Sequence, residues 1–301
     1  MAYLNFIKEN KSLFEGKVVI DVGCGTGILS MFAVRYGGAR KVFALEPSRM
    51  AFQAIETIND NGIDADKITV INAPVESKEA ERIISAFGEK ADIVISEWMG
   101  YFMLFENMLP SVMFARDRFM KPDGIMAPSK ADLYIDATDS QDIHKEFVSF
   151  WDDVYGFKMR RMKQRVGMDA QLYVFTHEEI ASVQPAAIMS MNLNKCPPPP
   201  ANHFSKFYLS FAKDTNITAF VGWFTVDFEG GENNVCLSTA PGLTETHWKQ
   251  TALILPEPVP VNSDEQYLCT ANVQRLEHDH RSLNITITFQ ERTYRWALCR
   301  D

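Results

Sequence analysis

Two glutamates, Glu97 and Glu106, lie nine positions apart in one strongly apolar segment. An ionised carboxylate in apolar surroundings is unfavourable unless a partner compensates it, and two uncompensated carboxylates in one pocket repel each other. A guanidinium group satisfies both best, because its planar fork of donors matches carboxylate geometry. No Lys or Arg lies between Lys90 and Met108, so we predict that the cation belongs to a substrate. The alternative is a helix that starts near Glu97 and carries Glu106 on its solvated face.

A glycine turn upstream indicates a cofactor that contains a nucleoside. Residues 17–29 run from a buried-strand pattern through three glycines into an apolar helix. Glycines there let the backbone approach a ligand closely and leave the helix N-terminus free to face it. The next apolar strand ends at Glu46, 19 residues after Gly27. In α/β nucleotide sites an acid at about this distance binds the ribose hydroxyls.

The glycine spacing distinguishes two classes of cofactor. Dinucleotide folds use G-x-G-x-x-G and hold a pyrophosphate at the helix N-terminus, whereas here Gly23, Gly25 and Gly27 alternate and follow Asp21. An acid at this turn disfavours a pyrophosphate and suits a cofactor with an ammonium or sulfonium group, such as S-adenosylmethionine. Asp21 as a strand-end cap is the structural alternative. A pyridine-dinucleotide oxidoreductase is the functional alternative, but it leaves the two glutamates unexplained.

The elements that position these residues alternate between strand and helix up to residue 127. Strands are predicted at 18–22, 41–45, 68–72 and 92–96, with helices at 28–36 and 50–61. This alternation predicts a parallel sheet with helices on both faces, and such sheets bind ligands at the carboxyl ends of their strands. The acids and glycines named above all follow these strands, so we expect one shared site there.

The second half of the chain reads as antiparallel β structure. Alternating strands are predicted at 131–137, 207–211, 217–228, 248–254 and 283–290. Residues 151–172 interrupt them with aromatic side chains followed by five basic ones. An ordinary solvated basic helix is one interpretation of that segment.

Composition narrows the class of protein. The 301 residues carry a net charge of −9, which disfavours nucleic-acid binding and suits a basic partner. The five cysteines are scattered, without a C-x-x-C pair, which predicts reduced thiols and no zinc site. We interpret His278, Asp279 and His280 as a surface turn and expect no metal. Without a signal-peptide pattern or a long apolar run, we expect a soluble intracellular protein.

Several motifs together resemble the protein arginine methyltransferases. They occupy residues 19–29, 95–101, 155–157 and 246–250, and Glu46 and Glu106 accompany them. The resemblance implies an α/β plus β fold. A class I S-adenosylmethionine-dependent methyltransferase (Rossmann-like) domain at 1–127 would precede an antiparallel β-barrel domain at 128–301. A dimerisation arm at about 151–172 would be inserted in the second domain.

The same resemblance implies an activity. S-adenosylmethionine would give its methyl group to arginine guanidino nitrogens of proteins, leaving S-adenosylhomocysteine and forming mono- and asymmetric dimethylarginine. Arginine–glycine-rich segments and histone tails are the expected substrates. The expected assembly is a homodimer that binds neither membrane nor nucleic acid, in the cytoplasm and also in the nucleus. A non-catalytic scaffold that binds arginine-rich partners is the alternative.

The resemblance also assigns roles residue by residue. The expected catalytic residues are Glu97, Glu106 and His247. The expected cofactor-binding residues are Asp21, Gly23, Gly25, Gly27, Glu46, Val75 and Glu76. The expected substrate-pocket residues are Met99, Tyr101, Met108 and Trp248. Simpler alternatives are a hydrogen-bonded loop residue for His247, a core methionine for Met108 and a helix-start acid for Glu76.

The sequence departs from the family ahead of the first strand. Family members carry N-terminal helices there, with a tyrosine-rich motif, an arginine for the cofactor carboxylate and a methionine near the substrate. About 16 residues precede the strand that starts at Val18, and none of those motifs is among them. We therefore expect incomplete closure over the cofactor.

Overall fold

The computed structural model describes residues 1–299, whose strands form three sheets. The helices are α1 Ala2–Glu9, α2 Lys11–Phe14, α3 Ile28–Arg35, α4 Met50–Asp60, α5 Lys78–Ala86, α6 Leu109–Phe119, α7 Gln141–Phe147 and α8 Arg160–Val166. The strands are β1 Val18–Val22, β2 Lys41–Leu45, β3 Ile68–Ile71, β4 Ala91–Ile95, β5 Met120–Ala127, β6 Lys130–Thr138, β7 Gln171–Tyr173, β8 Ala186–Asn192, β9 Asn202–Ser210, β10 Thr215–Phe228, β11 Val235–Ser238, β12 Gln250–Val261, β13 Gln266–Arg275, β14 Leu283–Phe289 and β15 Arg292–Leu298. None of the helices described in residues 1–299 is long and apolar enough to cross a lipid bilayer.

The first sheet is parallel, with strand order β3-β2-β1-β4-β5. The predicted parallel sheet is therefore confirmed. Its central strand β1 is buried along its whole length, as expected of a strand covered by helices on both faces. We did not predict β5, because Pro122 and Gly124 are typical of a turn. A strand at the edge of a sheet tolerates a proline that an inner strand would exclude.

The remaining strands are antiparallel and form two sheets. The larger has the order β7-β12-β10-β6-β8 with β11 paired to β10, and the smaller has the order β15-β14-β13-β9. Phe220 of β10 contacts Phe289 and Trp296 of the smaller sheet edge-to-face, at ring-centroid distances of 5.6 and 6.3 Å. The predicted antiparallel domain is thus confirmed, while its closure into a barrel stays a prediction.

Helix α1 joins the two parts of the structure. Phe6 is buried against Phe228 of β10, with ring centroids 5.3 Å apart. The Asn10 side chain donates to the carbonyl of Asn233 (2.7 Å) and accepts from its N–H (2.8 Å). A Cβ on Gly231 would lie 2.1 Å from Asn10 Oδ1, so glycine there leaves room for this contact.

Residues 151–172 project exposed aromatic side chains. After a short 3₁₀-helix at residues 149–152, Tyr155 is 97% exposed and Phe157 69% exposed. Helix α8 follows, and β7 then returns the chain to the larger sheet by pairing with β12. The role of this segment as a dimerisation arm stays a prediction.

Candidate active site

The carboxyl ends of neighbouring strands bring the predicted residues together. Glu46 directly follows β2, Val75 and Glu76 follow β3, and Glu97 follows β4. Because the strand order is β3-β2-β1-β4, these residues flank the glycine turn that follows β1. Val75 is buried and Glu76 is exposed just before α5.

The glycine turn adopts a backbone that other residues rarely take. Gly23, Gly25 and Gly27 have φ values of 71°, 53° and 84°, in the left-handed region that glycine enters without steric cost. A Cβ on Gly23 would lie 2.1 Å from Cε of Met108. Met108, which caps the start of α6, therefore contacts this turn directly.

Two acids face the turn in different ways. Glu46 accepts hydrogen bonds from the backbone N–H groups of Gly25 (3.1 Å) and Ser48 (2.9 Å). Asp21 is completely buried; its Oδ2 accepts from Ser30 at 2.7 Å, while its Oδ1 finds no partner within the described residues. Burial, and then the charge of Glu46, raise the pKa of Asp21 to about 7, although the Ser30 hydrogen bonds oppose the rise.

These features fit S-adenosylmethionine. The unpartnered oxygen of Asp21 is a buried acceptor for a donor of a ligand. The open Gly25 position, which has no atom near a Cβ, lets backbone approach a ligand. Each Glu46 oxygen keeps a second lone pair for ribose hydroxyls. No group of three or more potential metal ligands occurs within residues 1–299.

The segment that carries the two glutamates is a strained loop rather than a helix. Phe102, Met103, Glu106 and Asn107 all have positive φ, between 50° and 73°. Non-glycine residues hold such angles only where surrounding contacts enforce them, and they concentrate at functional sites. The helix that was the alternative interpretation is therefore wrong, since α6 begins only at Leu109.

Glu97 carries the most perturbed carboxyl of this loop. Its side chain is exposed at the surface, yet the surrounding protein desolvates it, and this raises its pKa to about 7. The charge of Glu106 is the second cause of this raised pKa. Tyr3 of α1 lies near Glu97, and its phenol donates to the carbonyl of the preceding residue, Ser96, at 2.8 Å. We did not predict a role for Tyr3, because no motif surrounds it.

Glu106 already has a cation within the protein. Arg281, in the loop between β13 and β14, places Nη2 2.9 Å from Oε1 of Glu106. The backbone N–H of Glu106 also donates to the carbonyl of Arg281 at 2.8 Å. We did not predict this pair, because Arg281 lies far from Glu106 in sequence. No local signal could have found a contact over that separation.

The loop with Thr246, His247 and Trp248 docks on the glutamate loop. Trp248 is buried and donates its indole N–H to the carbonyl of Met99 at 2.8 Å. The exposed His247 ring packs against Trp248, with centroids 3.9 Å apart. Met99 is buried.

Tyr101 lies on the open side of the glutamate loop. Its ring stacks on that of Phe105 at 5.9 Å. Together with Glu106, these two residues line a cavity of about 830 Å³ that also contacts Asp169 and Cys299.

Comparison with known proteins identifies the family. Two family models match: the arginine methyltransferase oligomerization subdomain over residues 129–293, and the ribosomal protein L11 methyltransferase over residues 4–129. Protein arginine N-methyltransferase 1 of Dictyostelium discoideum is 36% identical over 289 residues, covering 96% of this chain and 82% of the relative. That of Schizosaccharomyces pombe is 35% identical over 290 residues, with the same coverage of 96% and 82%.

Solved structures agree. The Trypanosoma brucei PRMT1 enzyme–prozyme heterotetrameric complex with AdoHcy matches with a TM-score of 0.89 and 32% identity, covering 99% of this chain and 94% of that one. Protein arginine methyltransferase 10 of Arabidopsis thaliana, in an open conformation, matches with a TM-score of 0.82 and 29% identity over 99% and 94% of the two chains. The fold and the site define a Rossmann-like methyltransferase joined to an antiparallel β domain. The chain belongs to the protein arginine N-methyltransferase family.

Proposed function

We propose that this protein transfers methyl groups from S-adenosylmethionine to arginine guanidino nitrogens of protein substrates. The observation that carries the proposal is the position of Glu97 just after β4, beside the glycine turn that follows β1, with Glu106 near enough for its charge to act on Glu97. A cation stabilises the charged forms of two neighbouring carboxylates, so such a pair forms a binding site for one. Relatives named protein arginine N-methyltransferase support arginine as that cation.

When bound, S-adenosylmethionine supplies an electrophilic methyl group on a positive sulfur. The residues of this chain bind the cofactor and orient it. Asp21 offers its unpartnered oxygen as an acceptor, Glu46 offers lone pairs to ribose hydroxyls, and Gly25 leaves room for close approach. Val75 and Glu76 at the end of β3 would contact the adenine, with Glu76 as the acceptor for its amino group.

Glu97 and Glu106 hold the substrate guanidinium. A contact at ~4 Å with an effective dielectric near 20 is worth roughly 4 kcal/mol before desolvation. The two carboxylates draw the positive charge of the guanidinium towards the two nitrogens that they hold. The third nitrogen therefore keeps more electron density for its attack on the methyl group. We assign the Glu97 carboxylate to accept the proton that the product releases.

His247, Met99, Tyr101, Met108 and Trp248 complete the pocket. Trp248 ties the two loops together through Met99, and Met108 contacts the glycine turn at Gly23. We assign His247, exposed beside Trp248, to assist proton removal. This arrangement orients a bound arginine relative to the cofactor, which is the main contribution of an enzyme to an in-line displacement.

The expected products are mono- and asymmetric dimethylarginine, and the expected substrates are arginine–glycine-rich segments and histone tails. The net charge of −9 supports basic partners. We place the protein in the cytoplasm and the nucleus, where such substrates occur.

We also propose that the segment at 151–172 joins two copies of the chain into a dimer. Its exposed aromatics, Tyr155 and Phe157, are the kind of residue that anchors interfaces. Analytical ultracentrifugation would test this: the wild type should sediment as a dimer and Tyr155→Ser/Phe157→Ser as a monomer. The double variant Phe204→Ser/Tyr208→Ser, which removes exposed aromatics of β9, is the matched control and should remain dimeric.

The experiment for the activity is transfer of labelled methyl from S-adenosylmethionine to an arginine–glycine-rich peptide. Glu97→Gln and Glu106→Gln should each lower the rate by at least about a hundredfold, whereas Glu89→Gln, at an exposed ion pair with Arg40, should leave it unchanged. Hydrolysis of labelled peptide would identify the product. Cofactor binding without transfer by the wild type would favour the non-catalytic scaffold.

A further inference from the structure

Arg281 binds the carboxylate that the proposed function assigns to the substrate. Its Nη2 lies 2.9 Å from Oε1 of Glu106. The guanidinium of Arg281 is the same chemical group as the proposed substrate. A substrate arginine that grips Glu106 with two parallel hydrogen bonds therefore needs the acceptor sites that Arg281 partly fills.

The loop between β13 and β14 holds Arg281 in place. The backbone N–H of Arg281 donates to Oδ1 of Asp279 at 3.1 Å. The backbone N–H of Ser282 donates to the carbonyl of Asp279 at 3.0 Å, and the Ser282 hydroxyl bonds the Asp279 carboxylate. This compact turn presents the Arg281 side chain from a fixed position.

Main chain and side chain of Arg281 contribute separately. The carbonyl of Arg281 accepts from the backbone N–H of Glu106 at 2.8 Å, where Glu106 has the strained φ of 73°. That bond fixes the loop whatever side chain residue 281 carries. A substitution of Arg281 thus removes the positive charge that pairs with Glu106 while leaving the backbone contact.

The ion pair is suited to exchange. The two side chains are 44% and 47% exposed, and exposed pairs are worth little because water screens them. Glu106 also lines the cavity of about 830 Å³, whose other charged side chains are Arg165 and Asp169. A substrate arginine that enters from this cavity can reach Glu106 and displace a weakly held internal partner.

We propose that Arg281 is an internal competitor that occupies Glu106 until a substrate guanidinium replaces it. The inference rests on the proposed function, because it takes Glu106 as a substrate-binding group. With Arg281 on Glu106, only the fraction of molecules in which Arg281 has left this carboxylate binds substrate fully, and the measured affinity falls by that fraction. Arg281 is thus a specificity-determining residue, because a substrate cation must displace it from Glu106, and a guanidinium with its planar fork of donors does so better than an ammonium.

The test compares Arg281→Gln with the wild type and with Arg292→Gln, a matched loss of an exposed arginine on β15. The dissociation constant of an arginine–glycine-rich peptide is measured by calorimetry, and KM and kcat by labelled transfer. We expect Arg281→Gln to lower the dissociation constant and KM about two- to fivefold, the range expected from breaking an exposed ion pair, with kcat unchanged. Arg292→Gln should change neither. Arg281→Lys, which keeps the charge but not the fork, should fall between.

Glu106→Gln removes the carboxylate for which Arg281 and the substrate compete, and it therefore provides the second part of the test. In that background, Arg281→Gln should no longer tighten peptide binding, because the pair is already broken. Unchanged or weaker peptide binding by Arg281→Gln in the wild-type background would overturn the proposal, as would a loss of kcat at constant KM. Peptide binding without methyl transfer would refute the proposed activity, while the binding comparison would still decide the role of Arg281.

Discussion

The indole N–H of Trp248 donates to the main-chain carbonyl of Met99 across 2.8 Å, joining two loops that lie far apart in sequence. Both groups are buried, so water cannot replace either partner. One loop carries His247 and the other carries the two glutamates. The shape of the candidate pocket therefore depends in part on this hydrogen bond between a side chain and the backbone.

Trp248→Phe should lower activity more than stability. The change keeps the packing against Phe224, whose ring lies 5.5 Å away, but leaves a buried carbonyl unpaired at a cost of about 1–3 kcal/mol. Trp296→Phe is the matched control, because Trp296 also donates to a carbonyl, that of Ile254, at 2.9 Å. Chemical denaturation should show similar losses for both, whereas kcat/KM should fall tenfold or more only for Trp248→Phe. Equal losses of kcat/KM would contradict the assignment.

Activity should rise with pH through about 7. Glu97 binds a guanidinium only when ionised, and desolvation by the surrounding protein, followed by the charge of Glu106, raises its pKa to about 7. Below that pH the ionised fraction falls tenfold per unit, so kcat/KM should fall in proportion. A flat profile between about pH 5.5 and 8 would refute this.

The same pKa should respond to Glu106. Its charge is the second cause of the raised pKa of Glu97, so Glu106→Gln should lower that pKa. A ¹³C NMR titration of the Glu97 carboxyl would measure the shift. The exposed Glu56→Gln is a control that should leave the titration unchanged.

Gly23→Ala should destabilise the protein only slightly more than Gly25→Ala. Both residues have positive φ, which costs a non-glycine residue about 1 kcal/mol or more. Only at position 23 would the new Cβ overlap another atom, at 2.1 Å from Cε of Met108. Because that atom ends a flexible side chain that can move aside, the overlap adds less than about 1 kcal/mol. Thermal unfolding would measure both. Met108→Ala in the Gly23→Ala background should relieve the overlap and restore that part of the stability, while the cost of the backbone strain at position 23 remains.

Asp21 should make stability fall as pH rises. Its pKa is about 7 in the folded protein against 3.8 when exposed, so the folded state binds more protons between those values. The free energy of unfolding therefore falls from about pH 4 to pH 7, by roughly 2–4 kcal/mol from this group. Asp21→Asn should remove that part of the slope in urea denaturation series, and the exposed Asp60→Asn should not. Identical slopes for wild type and Asp21→Asn would exclude the mechanism.

Strands were predicted most accurately where the hydrophobic pattern and the residues that end a strand agree. Strands β1 and β2 were predicted with their observed bounds, because each is a short apolar run closed by glycines or an acid. Strand β5 was missed because Pro122 and Gly124 signal a turn locally, while pairing with β4 overrides that signal. Pairing within the sheet thus determined the structure of this segment, although its local sequence is typical of a turn.

The candidate site shows the same division. The acids and glycines at strand ends were identifiable, since parallel strands must deliver their ends to one edge. The pairing of Arg281 with Glu106 was not, because it follows from the packing of a loop of the smaller sheet. The left-handed backbone of the glutamate loop was equally hidden, since residues such as Phe102 and Met103 do not favour it.

The contact between Asn10 and Asn233 has a consequence for synthesis of the chain. The two residues are separated by 223 positions, so at 5–20 residues per second the ribosome needs roughly 10–45 s to make the second after the first. During that time Phe6, which ends up fully buried against Phe228, lacks its final neighbours. Nascent chains of this protein therefore carry an apolar helix that chaperones can bind until the distant loop has emerged.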